Sequence, residues 1–374
     1  MKTCKIAKKC GGCAYINGAY EASLAIKNKE MRKLFEPFHV NVHEIKGMED
    51  PYGYRNKVIV AFNKNYQYGL YEEDSHRIIP YDHCLLHDQE MDDVIKQIAF
   101  LFKKYRVSLY DGKRGEIRHV LLRQAVATHQ ILVTIVSTSP MFKGSKNFCK
   151  QLINKCPNVA SVVLNINKRH TSIVLGNEEK VLYGKGYIVD NLCGLSFKIS
   201  SKSFYQINHA QCEALYNFGL SLLPEHVSTM YDTYCGIGTI GMIGSSKADH
   251  VIGIERNRDA VKDANMNKKQ NHISNISFIA ADATEYMVKT SKEEKADVII
   301  MDPPRSGSTP EFIEAAVKMK PRYILYISCG PDTQVRDLKV FKKLGYTFHD
   351  VYPFDMFPFT RHVETVVLMS KVKE

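Results

Sequence analysis

No apolar run in the 374 residues approaches the ~20 that a membrane-spanning helix requires. The opening residues, Met1-Lys2-Thr3-Cys4-Lys5, carry no apolar signal core. These two absences exclude a membrane partner and point to the cytoplasm. Internal repeats and low-complexity tracts are missing as well, and 44% apolar composition speaks against disorder. Negative charge is in short supply: 40 Asp and Glu face 51 Lys and Arg, giving a formal charge of +11. A polyanionic partner fits that balance, although charge alone does not select one. Ten cysteines are too sparse for a disulfide scaffold of this length, so metal binding or catalysis is their expected use. The length suggests two or three domains.

Two grammars divide the chain. From Tyr54 to about Ile188 the pattern is mostly hairpin-like: 58–62, then 118–126 against 130–137, then 160–167 against 171–175. A helix over 88–105 interrupts it, with Met91, Val94, Ile95, Ile98 and Phe102 at helical spacing behind an Asp88 cap. After Ser200, strands alternate with helices, the strands being predicted at 230–232, 251–255, 276–282, 296–302, 323–329 and 365–370. That is a doubly wound α/β domain. The expected units are residues 1–15 with 48–200, a helical segment over 16–47, and residues 201–374.

Gly236, Gly238 and Gly241 stand between a strand and a helix in the dinucleotide spacing, and Glu255 closes the next strand, where an acid accepts ribose hydroxyls. A nicotinamide cofactor and S-adenosylmethionine use the same physics here, and the glycines do not choose. Asp302-Pro303-Pro304 leans toward the second, because nucleic-acid methyltransferases commonly carry an acid and two prolines at the end of the fourth strand; an ordinary strand-to-loop turn is the plain alternative. Asp282 ends the third strand and is a further candidate on the adenine side. Cys329 closes the 323–329 strand, so it faces the same crevice as Asp302. An antiparallel last strand brings Glu364 to that edge, where desolvation raises a carboxyl's proton affinity and suits it to base work. Packing alone accounts equally for a lone cysteine or a strand-end acid; their joint placement favours chemistry. Ser203 to Asn208 offers the Phe204 ring and an amide for stacking and reading a base drawn out of its stack, though such alternation is also ordinary in strands.

Cys4, Cys10 and Cys13 form Cys-x5-Cys-x2-Cys, and Cys84 lies in Tyr81-Asp82-His83-Cys84. Four thiolates suit zinc or an iron-sulfur cluster, and the spacing permits both. Cys149, Cys156, Cys193, Cys212 and Cys235 show no partner spacing and read as core residues.

Taken with Tyr54-Arg55-Asn56-Lys57, Arg114 to Arg118, Ser328-Cys329 and His362-Val363-Glu364, these residues resemble the RNA uracil-5-methyltransferase family over nearly the whole chain, specifically its iron-sulfur branch acting on 23S ribosomal RNA. No RNA-binding barrel precedes Cys4, which matches the shorter form of that branch. The resemblance implies a Rossmann-like methyltransferase domain with an antiparallel last strand, beside a smaller antiparallel α+β domain carrying a [4Fe-4S] cluster on Cys4, Cys10, Cys13 and Cys84. It further implies that the 16–47 segment packs on the methyltransferase domain. By position it assigns S-adenosylmethionine contacts to Gln206, Tyr234, Glu255 and Asp302, beside Gly236 and Asp282 that the spacing itself offers, nucleophilic addition at uracil carbon 6 to Cys329, and proton removal at carbon 5 to Glu364. Phe204 would stack near the flipped base. Arg55, Lys57, Arg114 and Arg118 are the expected phosphate grip, and the protein is expected to act as a monomer. Gly330 departs from the family, which often has Asn after the nucleophile. A transfer-RNA substrate, or a nonenzymatic RNA-binding protein using the cluster structurally, are the competing readings.

Overall fold

The computed structural model describes residues 2–371 apart from Asp74, His76 and 170–172. Strand Val298–Met301 is buried throughout and Tyr323–Ser328 nearly so. Strands apolar on both faces belong inside a parallel sheet covered by helices. That sheet runs Asn41–Val42, Asp350–Phe354, Glu364–Lys371, Tyr323–Ser328, Val298–Met301, Val227–Thr233, Ala248–Glu255, Ile276–Ala280, with Tyr346–Thr347 also pairing Glu364–Lys371. The five strands from Tyr323–Ser328 to Ile276–Ala280 are mutually parallel, and Glu364–Lys371 is antiparallel to Tyr323–Ser328. Val227–Thr233 and Val298–Met301 are neighbours in space but not in sequence. The order therefore reverses between them, and the loops after these two strands flank the crevice that such a switch point opens.

The segment before residue 48 contributes to this layer. Helix Tyr20–Phe35 buries Met31 and Phe35 in one core with Leu338, Phe341 and Val367, and Asn41–Val42 pairs in parallel with Asp350–Phe354 at the sheet edge. Each such apolar side chain stabilises by about 1.5–3 kcal/mol. Lys27, wholly buried, is neutralised by Asp355 at 2.5 Å, and Tyr20 donates to the other oxygen of that carboxylate at 2.7 Å.

A second sheet is ordered Ile78–Pro80, Tyr68–Tyr71, Lys57–Phe62, Ile117–Gln124, Ile131–Ser137, Val159–Ile166, Glu178–Tyr183. Its core is closed by helix Gln89–Lys104, capped by Asp88 as the sequence predicts. Two details differ from expectation. Ile131–Ser137 pairs with Val159–Ile166 in parallel, because helix Ser145–Lys155 provides the crossover such pairs need. Val159–Ile166 takes its antiparallel partner from Glu178–Tyr183, not from 171–175. Thr171 and Ser172 lie outside the described residues. Beyond them, Asn167 donates to the carbonyls of Ile173 and Val174, and Asn165 exchanges hydrogen bonds with Gly176. Side chains thus hold the backbone that a strand ladder was expected to hold.

The hairpin Tyr187–Leu192 with Leu195–Ser200 sends Ile188, Leu192, Phe197 and Ile199 into the core shared with Leu215, Met230 and Val366. Its backbone is anchored to helix Arg258–Gln270 and its cap, Ser196 donating to Asn271 and Lys198 to Asn267.

Candidate active site and cofactor crevice

The register of the last strand builds the thiol–carboxylate pair. Tyr323 opposes Ser370 and Ser328 opposes Thr365, so one further step along the same ladder sets Cys329 opposite Glu364. Opposed residues in an antiparallel pair lie about 5 Å apart at Cα. Glu364 is only 2% exposed, and its Oε2 has no hydrogen-bond partner. Burial first, and the Asp302 charge second, push its carboxyl up to about 8, against the opposing pull of Arg305. Asp302, at the end of Val298–Met301, is itself pushed up to about 7 by burial. The Cys329 thiol is raised by burial and by both carboxylates, while Arg305 lowers it through its charge and a hydrogen bond.

The two loops that carry Cys329 and Arg305 are tied together. Thr333 donates to the carbonyl oxygens of Gly330 and Arg305, and Arg336 donates to those of Ser306 and Ser308. A Cβ on Gly330 would lie 2.9 Å from the Arg305 carbonyl oxygen and from Thr333 Oγ1. The departure from Asn at this position therefore accompanies a close approach of the two loops.

Across the crevice, Asp232, next to last in Val227–Thr233, is almost fully buried, accepts from the Gly241 N–H at 2.7 Å, and leaves Oδ1 without a partner. Burial raises it to about 7. Glu255 accepts from the Gly236 N–H at 3.0 Å and the Asn257 N–H at 2.6 Å, so it fixes the glycine loop. Gly238, at φ +83°, has no room for a side chain: a Cβ would sit 2.4 Å from the Phe278 ring. Tyr234, also at positive φ, packs on Phe312 with ring centres 5.4 Å apart. Asp282 caps helix Ala283–Thr290 through Oδ1. Gln206 is buried; its carbonyl accepts from Asn56 at 3.0 Å, and its side chain bonds Tyr216, which also feels the charges of Asp302 and Glu364. Three buried carboxyls that hold protons too tightly, two with orphaned oxygens, form a site suited to a cation. A sulfonium compound such as S-adenosylmethionine meets that requirement.

Phe204 is 67% exposed between anchored neighbours: Ser203 donates to Asp263, and Tyr205 to Asp190. Of the four cations expected to grip phosphates, only Arg114, in the 111–115 loop, is exposed. Arg55 is directed at Tyr54, Cys13 and Cys84. Arg118 donates to the carbonyls of Asn167 and Arg169 and lies over the Tyr110 ring. Lys57 stands opposite Arg123 on the neighbouring strand and is pulled down to about 8 by burial and that charge.

Cys4, Cys10, Cys13 and Cys84 come within electrostatic reach of one another. Burial, opposed by Arg55 and supported by the other three thiols, pushes Cys13 up to about 12. Cys84 is lowered overall: its burial is outweighed by His87 and by the N–H groups of Leu86 and His87. A Gly12 N–H likewise serves Cys10. Among the described residues, however, no group of three or more His, Cys, Asp or Glu side chains converges tightly enough to hold a metal ion. The expected metal site is therefore not borne out by the geometry, although the donor chemistry, four thiols with backbone N–H groups aimed at sulfur, is compatible with a cluster.

Three residues were given no role from sequence. Asp232 was discoverable as the acid opening the glycine loop, and Arg305 as the cation directly after the prolines. Arg123, fully buried with its guanidinium donating to the Ser201 and Ser203 carbonyls, carries no sequence signal, since a cation within a strand reads as solvent-facing. Among the described residues no helix is long and apolar enough to cross a membrane.

Residues 19–372 match the tRNA (uracil-5-)-methyltransferase family. An uncharacterized RNA methyltransferase of Clostridium tetani is 37% identical over 98% of this chain and 82% of its own length. One of Oceanobacillus iheyensis is 38% identical with the same coverage. The fold is similar to that of the Pyrococcus abyssi tRNA (uracil-54, C5)-methyltransferase in complex with S-adenosyl-L-homocysteine, with a TM-score of 0.83 and 24% identity over 96% of this chain and 85% of that one. The chain belongs to the tRNA (uracil-5-)-methyltransferase family, and its second half has a Rossmann-like methyltransferase fold.

Proposed function

We propose that the protein methylates carbon 5 of a uridine in 23S ribosomal RNA through a covalent adduct on Cys329, with Glu364 as the base. The observation that carries this reading is the antiparallel register that sets the thiol opposite an unpartnered buried carboxylate. Carbon 5 of uracil is a poor nucleophile, and thiolate addition at carbon 6 activates it. In the proposed sequence the Cys329 thiolate bonds to carbon 6, and the electron pair moves toward carbon 5 and the carbonyl oxygen. S-adenosylmethionine, when bound, supplies the methyl group that carbon 5 takes. The Glu364 carboxylate then removes the carbon 5 proton, the pair re-forms the ring double bond, and the carbon–sulfur bond breaks to return the thiolate. Asp302 and Asp232 favour the cationic cofactor, Glu255 and the glycine loop orient it, and Arg305 stabilises the thiolate.

A [4Fe-4S] cluster on Cys4, Cys10, Cys13 and Cys84 belongs to the same proposal, and it is what favours ribosomal RNA as substrate, by resemblance to the iron-sulfur branch. Bound there, it would cross-link the first fifteen residues to the 84–87 turn. The family's description and the fold's likeness to a transfer-RNA enzyme support transfer RNA as the second reading. With 5-fluorouridine-substituted RNA, which has no proton for Glu364 to remove, the wild type is expected to form a denaturation-resistant adduct. Cys329→Ala should bind RNA but form none; an adduct on Cys329→Ala would overturn the mechanism. Mapping 5-methyluridine in the RNA of a deletion strain separates the two substrates.

A further inference from the structure

A cleft of about 720 Å³ has Cys329 on its wall and runs outward between helix Tyr20–Phe35 and helix Pro331–Lys343. Its floor is apolar, formed by Met31, Val335 and Val363. Its rim is cationic: Lys33 comes from the first helix, Lys339 from the second, and Arg305 and Arg361 from the adjoining loops, all four exposed. Among the described residues Lys33, Lys339 and Arg361 make neither an ion pair nor a side-chain hydrogen bond. Two acids, Glu30 and Asp332, share the rim, and His362 borders it, its proton affinity lowered by burial and by Arg305. Cations left unpaired along a groove that ends at the nucleophile make a track for a polyanion, and single-stranded RNA is held by such grooves. The contrast with the second sheet is informative, since there Arg55 and Arg118 are already engaged by the protein and Lys57 is largely withdrawn from solvent.

We propose that the backbone of the RNA strand flanking the target uridine runs through this cleft, with Lys33 and Lys339 each contacting a phosphate from opposite walls. The Tyr20–Phe35 helix is then part of the substrate-binding surface and not only packing for the sheet. This inference rests on the reading of the chain as an RNA methyltransferase acting through Cys329.

The test is the salt dependence of binding to a fluorescein-labelled, uridine-containing single-stranded RNA, read by anisotropy. Lys33→Glu with Lys339→Glu is expected to weaken binding at least ~10-fold at fixed salt. It should also flatten the plot of log affinity against log salt by about 0.7 per lost phosphate contact, about 1.4 in all. Both side chains are exposed, so cofactor binding, measured by titration calorimetry, is expected to be unchanged. Glu30→Gln should tighten binding, a direction that a folding defect cannot produce. Lys143→Glu with Lys146→Glu, exposed cations beside a separate cleft of the second sheet, serves as the control and should leave the slope nearer to wild type. Wild-type affinity and slope in the Lys33/Lys339 variant would overturn the track. Absence of 5-methyluridine from every RNA treated with wild type would instead overturn the underlying function, and the binding measurement does not depend on turnover.

Discussion

Glu364 is held in conflict between folding and catalysis. As a base it must be ionised, yet burial and Asp302 raise it from 4.5 to about 8. Proton removal from the methylated adduct is therefore expected to accelerate as pH rises through about 8. The stability consequence has the opposite sign. A carboxyl raised in the folded state contributes stability that is complete below its unfolded value near 4.5 and is lost as pH rises through about 8. Glu364→Gln, neutral throughout, escapes that loss. It should melt higher than wild type at pH 8 by a few degrees, at about 2–4 °C per kcal/mol, with the gain vanishing toward pH 4.5. The same variant should lose about 10²–10⁴-fold in turnover while still accumulating the Cys329 adduct. A melting difference independent of pH would show that Glu364 is not protonated in the folded protein. Asp302 and Asp232, both raised to about 7, add a matching dependence: cofactor affinity should strengthen as pH passes neutrality.

At the level of elements, strand Ile117–Gln124 reaches into the site without touching it. Arg123 projects from this strand of the second sheet and donates to the carbonyls of Ser201 and Ser203, the residues before exposed Phe204. It is buried among no carboxylates, which lowers it to about 10. A lone buried cation is retained here by two carbonyls, so its removal frees the loop that presents Phe204. Arg123→Met is expected to raise KM for RNA several-fold with kcat and cofactor affinity little changed. A loss confined to kcat would instead assign Arg123 to the chemistry. The sequence made the doubly wound strands legible because their apolar runs end at Asp232, Glu255, Asp302 and Cys329, and it made Glu364 legible through the antiparallel last strand. Other contacts were not legible. The parallel edge strand Asn41–Val42 is two residues long and carries no periodicity, and its pairing exists only because Asp350–Phe354 is already in place. Arg55 and Arg118 look like a phosphate grip on paper, but Arg55 is turned to Tyr54 beside it and Arg118 to the carbonyls of Asn167 and Arg169, far away in sequence. Asp282 also caps a helix, a role that the sequence reading did not give it.

Over the whole molecule, the region around the four cysteines and the proposed base share one stretch of backbone. Ala14 and Tyr15, just after Cys13, both donate to the Phe359 carbonyl at 2.9 Å. Phe359 is fully buried at φ +62°, with the Tyr20 and Tyr52 rings against it, and Tyr54 donates to the Pro358 carbonyl. Leu86, two residues past Cys84, joins the same apolar cluster. Lys27 adds a hydrogen bond to the Phe357 carbonyl beside its buried pair with Asp355. The 355–362 loop leads directly into Glu364, so whatever fixes the cysteine segment also fixes the approach to the proposed base, whereas Cys329 follows strand Tyr323–Ser328, which Gln334 holds through the Tyr326 carbonyl. Coupling of this kind is established only by perturbing one end and reading the other. Cys10→Ser with Cys13→Ser is expected to speed amide hydrogen exchange in residues 355–363 as well as in the first fifteen. The variant should also lower turnover while adduct formation with fluorouridine-substituted RNA persists, because the proposed nucleophile is not carried by that loop. Exchange that rises in the first fifteen residues alone would mean that the loop is held by Lys27, Asp355 and the aromatic cluster without help from the cysteines.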